Sequence, residues 1–142
     1  DKDGFQIGKA RRIADGLDVG IVAAGFLVAE AIEAEALLRR EGVRACVVDM
    51  HTVKPADTQA IAEIARETSA IVTVEDHNIL GGLGSAVAEI VCRDNPVPVE
   101  MIGIRDRFGE SGDLRELMEI HGLTARHIAN AARRLIKLKE RS

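Results

Sequence analysis

The chain has 142 residues, 46% of them hydrophobic, with 19 basic and 23 acidic side chains for a formal net charge of -4. That length and apolar content fill one core, so one domain over residues 1–142 is expected. The acidic balance and an aromatic content of 2% give neither a basic face for phosphate backbones nor platforms for base stacking, which argues against a nucleic-acid partner.

No apolar run approaches the roughly 20 residues that span a bilayer, and the opening DKDGFQIGKARR lacks a signal-peptide core. A soluble, cytoplasmic protein without a membrane partner is expected. The first residue is Asp1 rather than Met, which is consistent with a piece of a longer chain. Cys46 and Cys92 each sit in an apolar run without forming a CxxC pair and are expected as buried small hydrophobes in a reducing compartment.

In chain order, FQIGKARRIADG (5–16) alternates loosely, as an edge strand does. VGIVAA (19–24) is a β-branched strand closed by Gly25, and FLVAEAIEAEALLRRE then repeats apolar residues at helical spacing up to Gly42. VRACVVDM (43–50) is the next strand and HTVKPAD a loop in which Pro55 can open the following helix and hold Lys54 extended. TQAIAEIARET is an amphipathic helix with Ile61, Ile64 and Ala65 on one face. AIVTVE (70–75) is a third strand, SAVAEIVCRD a helix, and a strand lies near Val99–Ile104. Asp113 with Glu116 forms a capping-box pattern, and Thr124 stands before a helix stapled by Leu123 and Ile128. The β-α-β-α-β alternation predicts a largely parallel sheet with helices on both sides.

In such a sheet the residues that follow strands gather on one edge, where ligands bind in open α/β folds. Gly25, Asp49 and the run Glu75-Asp76-His77 fall there, joined by Lys54. Gly81, Gly82 and Gly84 precede a helix expected near Ser85, whose free N–H groups could hold an anion; a turn that lets the helix pack closely fits the same glycines. GGLGSAV fails as a dinucleotide fingerprint because Val87 occupies the place of the third small residue. His77 can orient a substrate oxygen or shuttle a proton, or simply be hydrogen-bonded in its loop, and Glu75 with Asp76 reads as a solvated pair of which at most one turns inward. The four histidines are scattered and no metal site is expected. IRDRFGESGD gathers Asp106, Arg107 and Glu110 around two glycines, with Phe108 in a position that suggests burial against a partner. A phosphorelay receiver is disfavoured, because the first confident strand ends in AAG rather than an acidic pair.

GKARRIADGLDVGIVAAG, VVDMHTVKPAD, VTVEDHNILGGLGSAVAE and GIRDRFGESGDLRELMEIHGLT, in that order, resemble the C-terminal domain of the transketolase family over nearly the whole chain. FGESG and TVKPAD are closer to transketolase itself, particularly its split form with a separate C-terminal subunit, than to 1-deoxyxylulose-5-phosphate synthase or the beta subunits of 2-oxoacid dehydrogenases. The resemblance implies a three-layer α/β/α sandwich with a mostly parallel, mixed five-stranded sheet whose one edge strand is antiparallel. It implies thiamine diphosphate and Mg²⁺ in the complete enzyme, bound by domains outside this chain, and none on this chain alone.

The expected role is scaffold, dimer interface and substrate-entrance edge in an enzyme of the pentose phosphate pathway. That enzyme moves a two-carbon ketol unit between sugar phosphates. Its partners are the thiamine-binding domains or subunit, as a homo-oligomer or heterotetramer. Here His77 is the catalytic candidate, and Lys54, Glu75, Asp76, Gly81, Gly82, Gly84, Asp106 and Phe108 are entrance or interface candidates. The alternatives are a docking domain of a 2-oxoacid dehydrogenase, part of a deoxyxylulose-phosphate synthase, and a free-standing anion binder using the glycine turn.

Overall fold

A computed structural model describes residues 6–78, 81–104 and 113–141, with His77 and Asn78 described by their backbone alone. Five strands, β1 (Arg11–Ala14), β2 (Val19–Ala23), β3 (Ala45–Asp49), β4 (Ile71–Asn78) and β5 (Val99–Ile104), form one sheet in the order β1-β3-β2-β4-β5. β2 pairs in parallel with β3 and β4, β4 pairs in parallel with β5, and β1 runs antiparallel along β3. The mixed sheet with one antiparallel edge is the expected one. β1 is shorter than the expected 5–16 segment, because only Arg11, Arg12 and Ala14 find partners on β3.

α1 (Val28–Arg40), α2 (Thr58–Thr68) and α3 (Leu83–Asp94) connect β2 to β3, β3 to β4 and β4 to β5, while α4 (Leu114–Ile120) and α5 (Ala125–Glu140) follow β5; a 3₁₀ turn at Gly25–Leu27 leads into α1. Strand alternation sends side chains to both faces and builds two cores. Val19, Ile21, Val47, Val72 and Val74 pack with Leu38 of α1 and Ile128 and Leu135 of α5. On the other face Val22, Val48 and Ile71 pack with Ile61 and Ile64 of α2 and Val87 and Val91 of α3. The result is the three-layer α/β/α sandwich. At Gly20 an added Cβ would lie 2.4 Å from Ile64 Cγ2, so the glycine in β2 lets α2 sit close on the sheet.

Except at α1, which continues a 3₁₀ turn, carboxylates accept from the first amides of the helices. Asp57 caps α2 by accepting from Ala60 N at 3.1 Å and reaches back to Ala10 N at 2.8 Å, tying the edge strand to the helix. α2 therefore begins at Thr58, and Pro55 lies before the cap rather than at the first helical position. Asp113 caps α4 as expected, accepting from Glu116 N at 2.9 Å. Thr124 is the N-cap residue of α5, but its hydroxyl engages His127 Nδ1 at 2.7 Å. The α5 amide of Ala125 is taken instead by Glu30 Oε2 of α1 at 2.8 Å, while Glu30 Oε1 accepts from Arg115 of α4. Glu30 is thus a buried anion at a helix N-terminus that joins α1, α4 and α5. Leu123 and Ile128 are buried as the staple requires. Of the two cysteines, Cys46 is buried and Cys92, contrary to expectation, is exposed, because it falls on the outer side of α3.

Candidate functional site

The carboxyl ends of β2, β3, β4 and β5 lie on one edge because these strands are parallel. β4 runs to Asn78, so Glu75, Asp76 and His77 are its last turns of pleat rather than residues of a loop after it. Parity along β4 then decides what each carboxylate does. Ile71 points to the α2/α3 core and Val72 and Val74 to the α1/α5 core, so Glu75 falls on the α3 side with Thr73 and Asp76 on the other.

Glu75 is only 2% exposed. Its Oε1 accepts from Leu83 N and its Oε2 from Gly84 N, both at 2.8 Å. These are the first two amides of α3, whose N-cap residue Gly82 has no side chain with which to cap. A carboxylate from the preceding strand supplies the missing acceptors and places a full negative charge at the positive helix end. The glycine turn is an anion site, as its pattern suggests, and the anion is the chain's own Glu75. The expected solvated pair is therefore split.

Gly84 sits so close to the sheet that an added Cβ would meet Met101 Cγ at 2.7 Å and Thr73 Oγ1 at 2.9 Å. Close packing and anion binding, which the sequence left as alternatives, are both satisfied by the same turn. Gly81 takes a left-handed φ of 77° and donates its amide to Ser85 Oγ at 3.0 Å, which tightens the approach to the helix.

On the opposite side Asp76 lies against Gly25, where an added Cβ would stand 3.3 Å from its Oδ2. Gly25 also has a left-handed φ of 68°, so a side chain there would be both strained and crowded. Lys54 is exposed in the segment after β3, and Asp49 is the last residue of β3. The structure thus brings Gly25 and Asp76 together, with Asp49 on the neighbouring strand β3 beside Ala23. The side chain of His77, and Asp106 and Phe108 altogether, lie outside the described residues.

This turn does not suit a cofactor diphosphate, since Glu75 already occupies the two helix amides that would hold it. Among the described residues there is no cluster of three or more His, Cys, Asp or Glu side chains able to hold a metal ion, and no helix long and apolar enough to cross a membrane. Of the two carboxylates at this edge, Glu75 is closed on the start of α3 and Asp76 lies against Gly25.

Comparison with known proteins gives the chain its family. Residues 8–128 match the model of the transketolase C-terminal domain, and the chain belongs to that family. It is 44% identical to the 6-deoxy-6-sulfo-D-fructose transketolase subunit of Clostridium sp. (strain MSTE9), over 98% of this chain and 43% of that one. It is 45% identical to the 1-deoxy-D-xylulose-5-phosphate synthase of Heliobacterium modesticaldum (strain ATCC 51547 / Ice1), over 91% of this chain and 20% of that one. Among solved structures it superposes with a TM-score of 0.92 on a split-gene transketolase described as an inactive beta4 tetramer, at 45% identity over 95% of this chain and 44% of that one. The chain therefore spans less than half the length of these relatives.

Proposed function

We propose that this chain is the C-terminal part of a thiamine diphosphate-dependent transketolase that moves a two-carbon ketol unit between sugar phosphates. The observation that carries its share of the work is the internal occupation of the α3 N-terminus by Glu75. A helix end closed in this way cannot bind the cofactor and can hold the strand exits rigid, so the domain serves as scaffold and boundary. The cofactor and its divalent metal then belong to the portion of the enzyme that this chain does not span. The relatives' names reach beyond the pentose phosphates to a sulfonated fructose, which supports a wider choice of ketose donor than the pentose phosphate pathway alone. The split-gene neighbour's tetramer supports a multi-subunit assembly with a thiamine-binding companion. The unpaired thiols Cys46 and Cys92 fit a reducing cytoplasm.

A second reading, part of a 1-deoxy-D-xylulose-5-phosphate synthase, is favoured by the 45% identity to the Heliobacterium modesticaldum enzyme. One assay separates the two. Ketol transfer from xylulose 5-phosphate and from 6-deoxy-6-sulfofructose, and formation of deoxyxylulose phosphate, are measured with this chain alone, with the thiamine-binding companion alone and with both. Ketol transfer in the mixture only is the expected result; turnover by the companion alone at the full rate would remove the proposal.

A further inference from the structure

α4 is seven residues long, and of its side chains only Met118 is buried, with Leu117 half-buried and the rest exposed. Leu114 at its start is 59% exposed and Ile120 at its end 53%. α5, joined to it at a corner, buries six side chains, so the two helices differ widely in the apolar burial that resists opening.

α4 also closes its own ends. Asp113 caps its start, and at its finish Leu123 N bonds Met118 O at 2.8 Å and Gly122 N bonds Glu119 O at 3.2 Å, with Gly122 at a left-handed φ of 69°. The starts of α3 and α5 depend instead on Glu75 and Glu30 from other elements. Opening α4 therefore disturbs no cap elsewhere. Among the described residues its polar ties to the rest of the domain are Arg115 to Glu30 and Glu119 to Arg126, and the second pair is exposed on both sides and contributes little. Its buried apolar tie is Met118, in the core with α1 and α5. Glu30 divides its oxygens between the two helices, Oε1 taking Arg115 and Oε2 taking Ala125 N at 2.8 Å. The Arg115 side chain is 61% exposed and that of Glu30 10%, so the pair can part from the solvent side while Glu30 stays on α5.

We propose that α4 is a latched strap that opens as a unit from an otherwise intact domain, with the Arg115–Glu30 pair as its latch. A free segment of this length does not hold a helix in water, so opening melts α4. It bares Met118 and the Oε1 side of Glu30 while the sheet and α5 stay closed. The device does not rest on the catalytic reading above.

The test is native-state hydrogen exchange on this 142-residue chain, read amide by amide by NMR. Expected is exchange at Met118, Glu119 and Ile120 at least about 100-fold faster than at Ala129, Ala131 and Ala132 of α5, and insensitive to low denaturant where the α5 amides accelerate. The Ala125 amide, held by Glu30, should follow α5. Arg115→Gln should speed the α4 amides about tenfold and leave α5 unchanged. Salt at about 1 M should speed them in the parent chain and have no such effect in Arg115→Gln. Equal protection of α4 and α5, or an Arg115→Gln change that spares α4 or speeds both helices by one factor, would overturn the proposal. Where Arg115→Gln lowers global stability, all amides move together and the ratio of α4 to α5 rates still reads the latch. Arg115→Lys, which keeps the charge, must stay within about threefold of the parent ratio, and a larger acceleration would count against an ionic latch.

Discussion

Replacing Glu75 by Gln tests the helix clamp with almost no change of shape. The carboxylate accepts two amides at 2.8 Å from a position 2% exposed. A hydrogen bond to a charged group contributes about 1.5–3 kcal/mol net, and a charge at a partly buried helix end up to about 2 kcal/mol. Gln keeps one carbonyl acceptor but turns an NH₂ group toward the other amide, so one bond is lost, one donor is left facing a donor, and the charge is gone. The two contributions overlap, and the expected loss is about 3 kcal/mol, or roughly 10 °C in Tm for a domain of this size. Guanidinium unfolding at neutral pH would read this as a lower midpoint at an unchanged slope. Glu89→Gln, which removes an exposed pair with Arg93 on the same helix, should cost less than about 0.5 kcal/mol and serves as the control. If Glu75→Gln were as mild as the control, the clamp would contribute nothing and its role here would be mistaken.

Gly84→Ala, which at an exposed helical position would stabilise, should here cost about 1–3 kcal/mol by crowding Met101 and Thr73, with Met101→Ala relieving part of it in a double-mutant cycle. Thr73 Oγ1 is buried without a hydrogen-bond partner among the described residues, so Thr73→Val should match or exceed the parent stability by about 1 kcal/mol in the same unfolding assay. Burial pushes the Cys46 thiol up to about 11, whereas Cys92 is exposed. Ellman's reagent at pH 8 should therefore label one thiol promptly and the second only in denaturant. Because the folded thiol resists ionising, its contribution is complete below the ordinary thiol value of 9.0 and is lost as pH rises from there toward 11, so stability should decline over that window.

The elements were legible where the signal is local. The β-branched runs of β2, β3 and β4, the helical spacing of α1 and α2 and the Asp113 cap depend on neighbours within a few residues, and the structure has them at or near the expected places. β4 runs three residues beyond the expected 75 because its ladder with β5 resumes after an irregularity, pairing Asn78 with Ile104. Long-range partners were hidden. Ala125 is capped by Glu30, 95 residues earlier, and no local pattern announces it. Asp57 displaced Pro55 as the start of α2 because a side-chain acceptor for Ala60 fixes the boundary more firmly than a preset φ.

At the candidate site the residues were visible before their roles were. VEDHNILGGLGS marked the turn, yet Glu75 was read as solvated although its parity with Ile71 and Thr73 already put it on the α3 face. That parity, combined with a helix start lacking a capping side chain, was the available clue.

The account stands most directly on where the cofactor binds. Calorimetric titration of thiamine diphosphate with Mg²⁺ into this chain, into the proposed thiamine-binding companion and into the mixture addresses that question. The account predicts no saturable heat with this chain alone and binding once the companion is present. Saturable, Mg²⁺-dependent binding by this chain alone would contradict it.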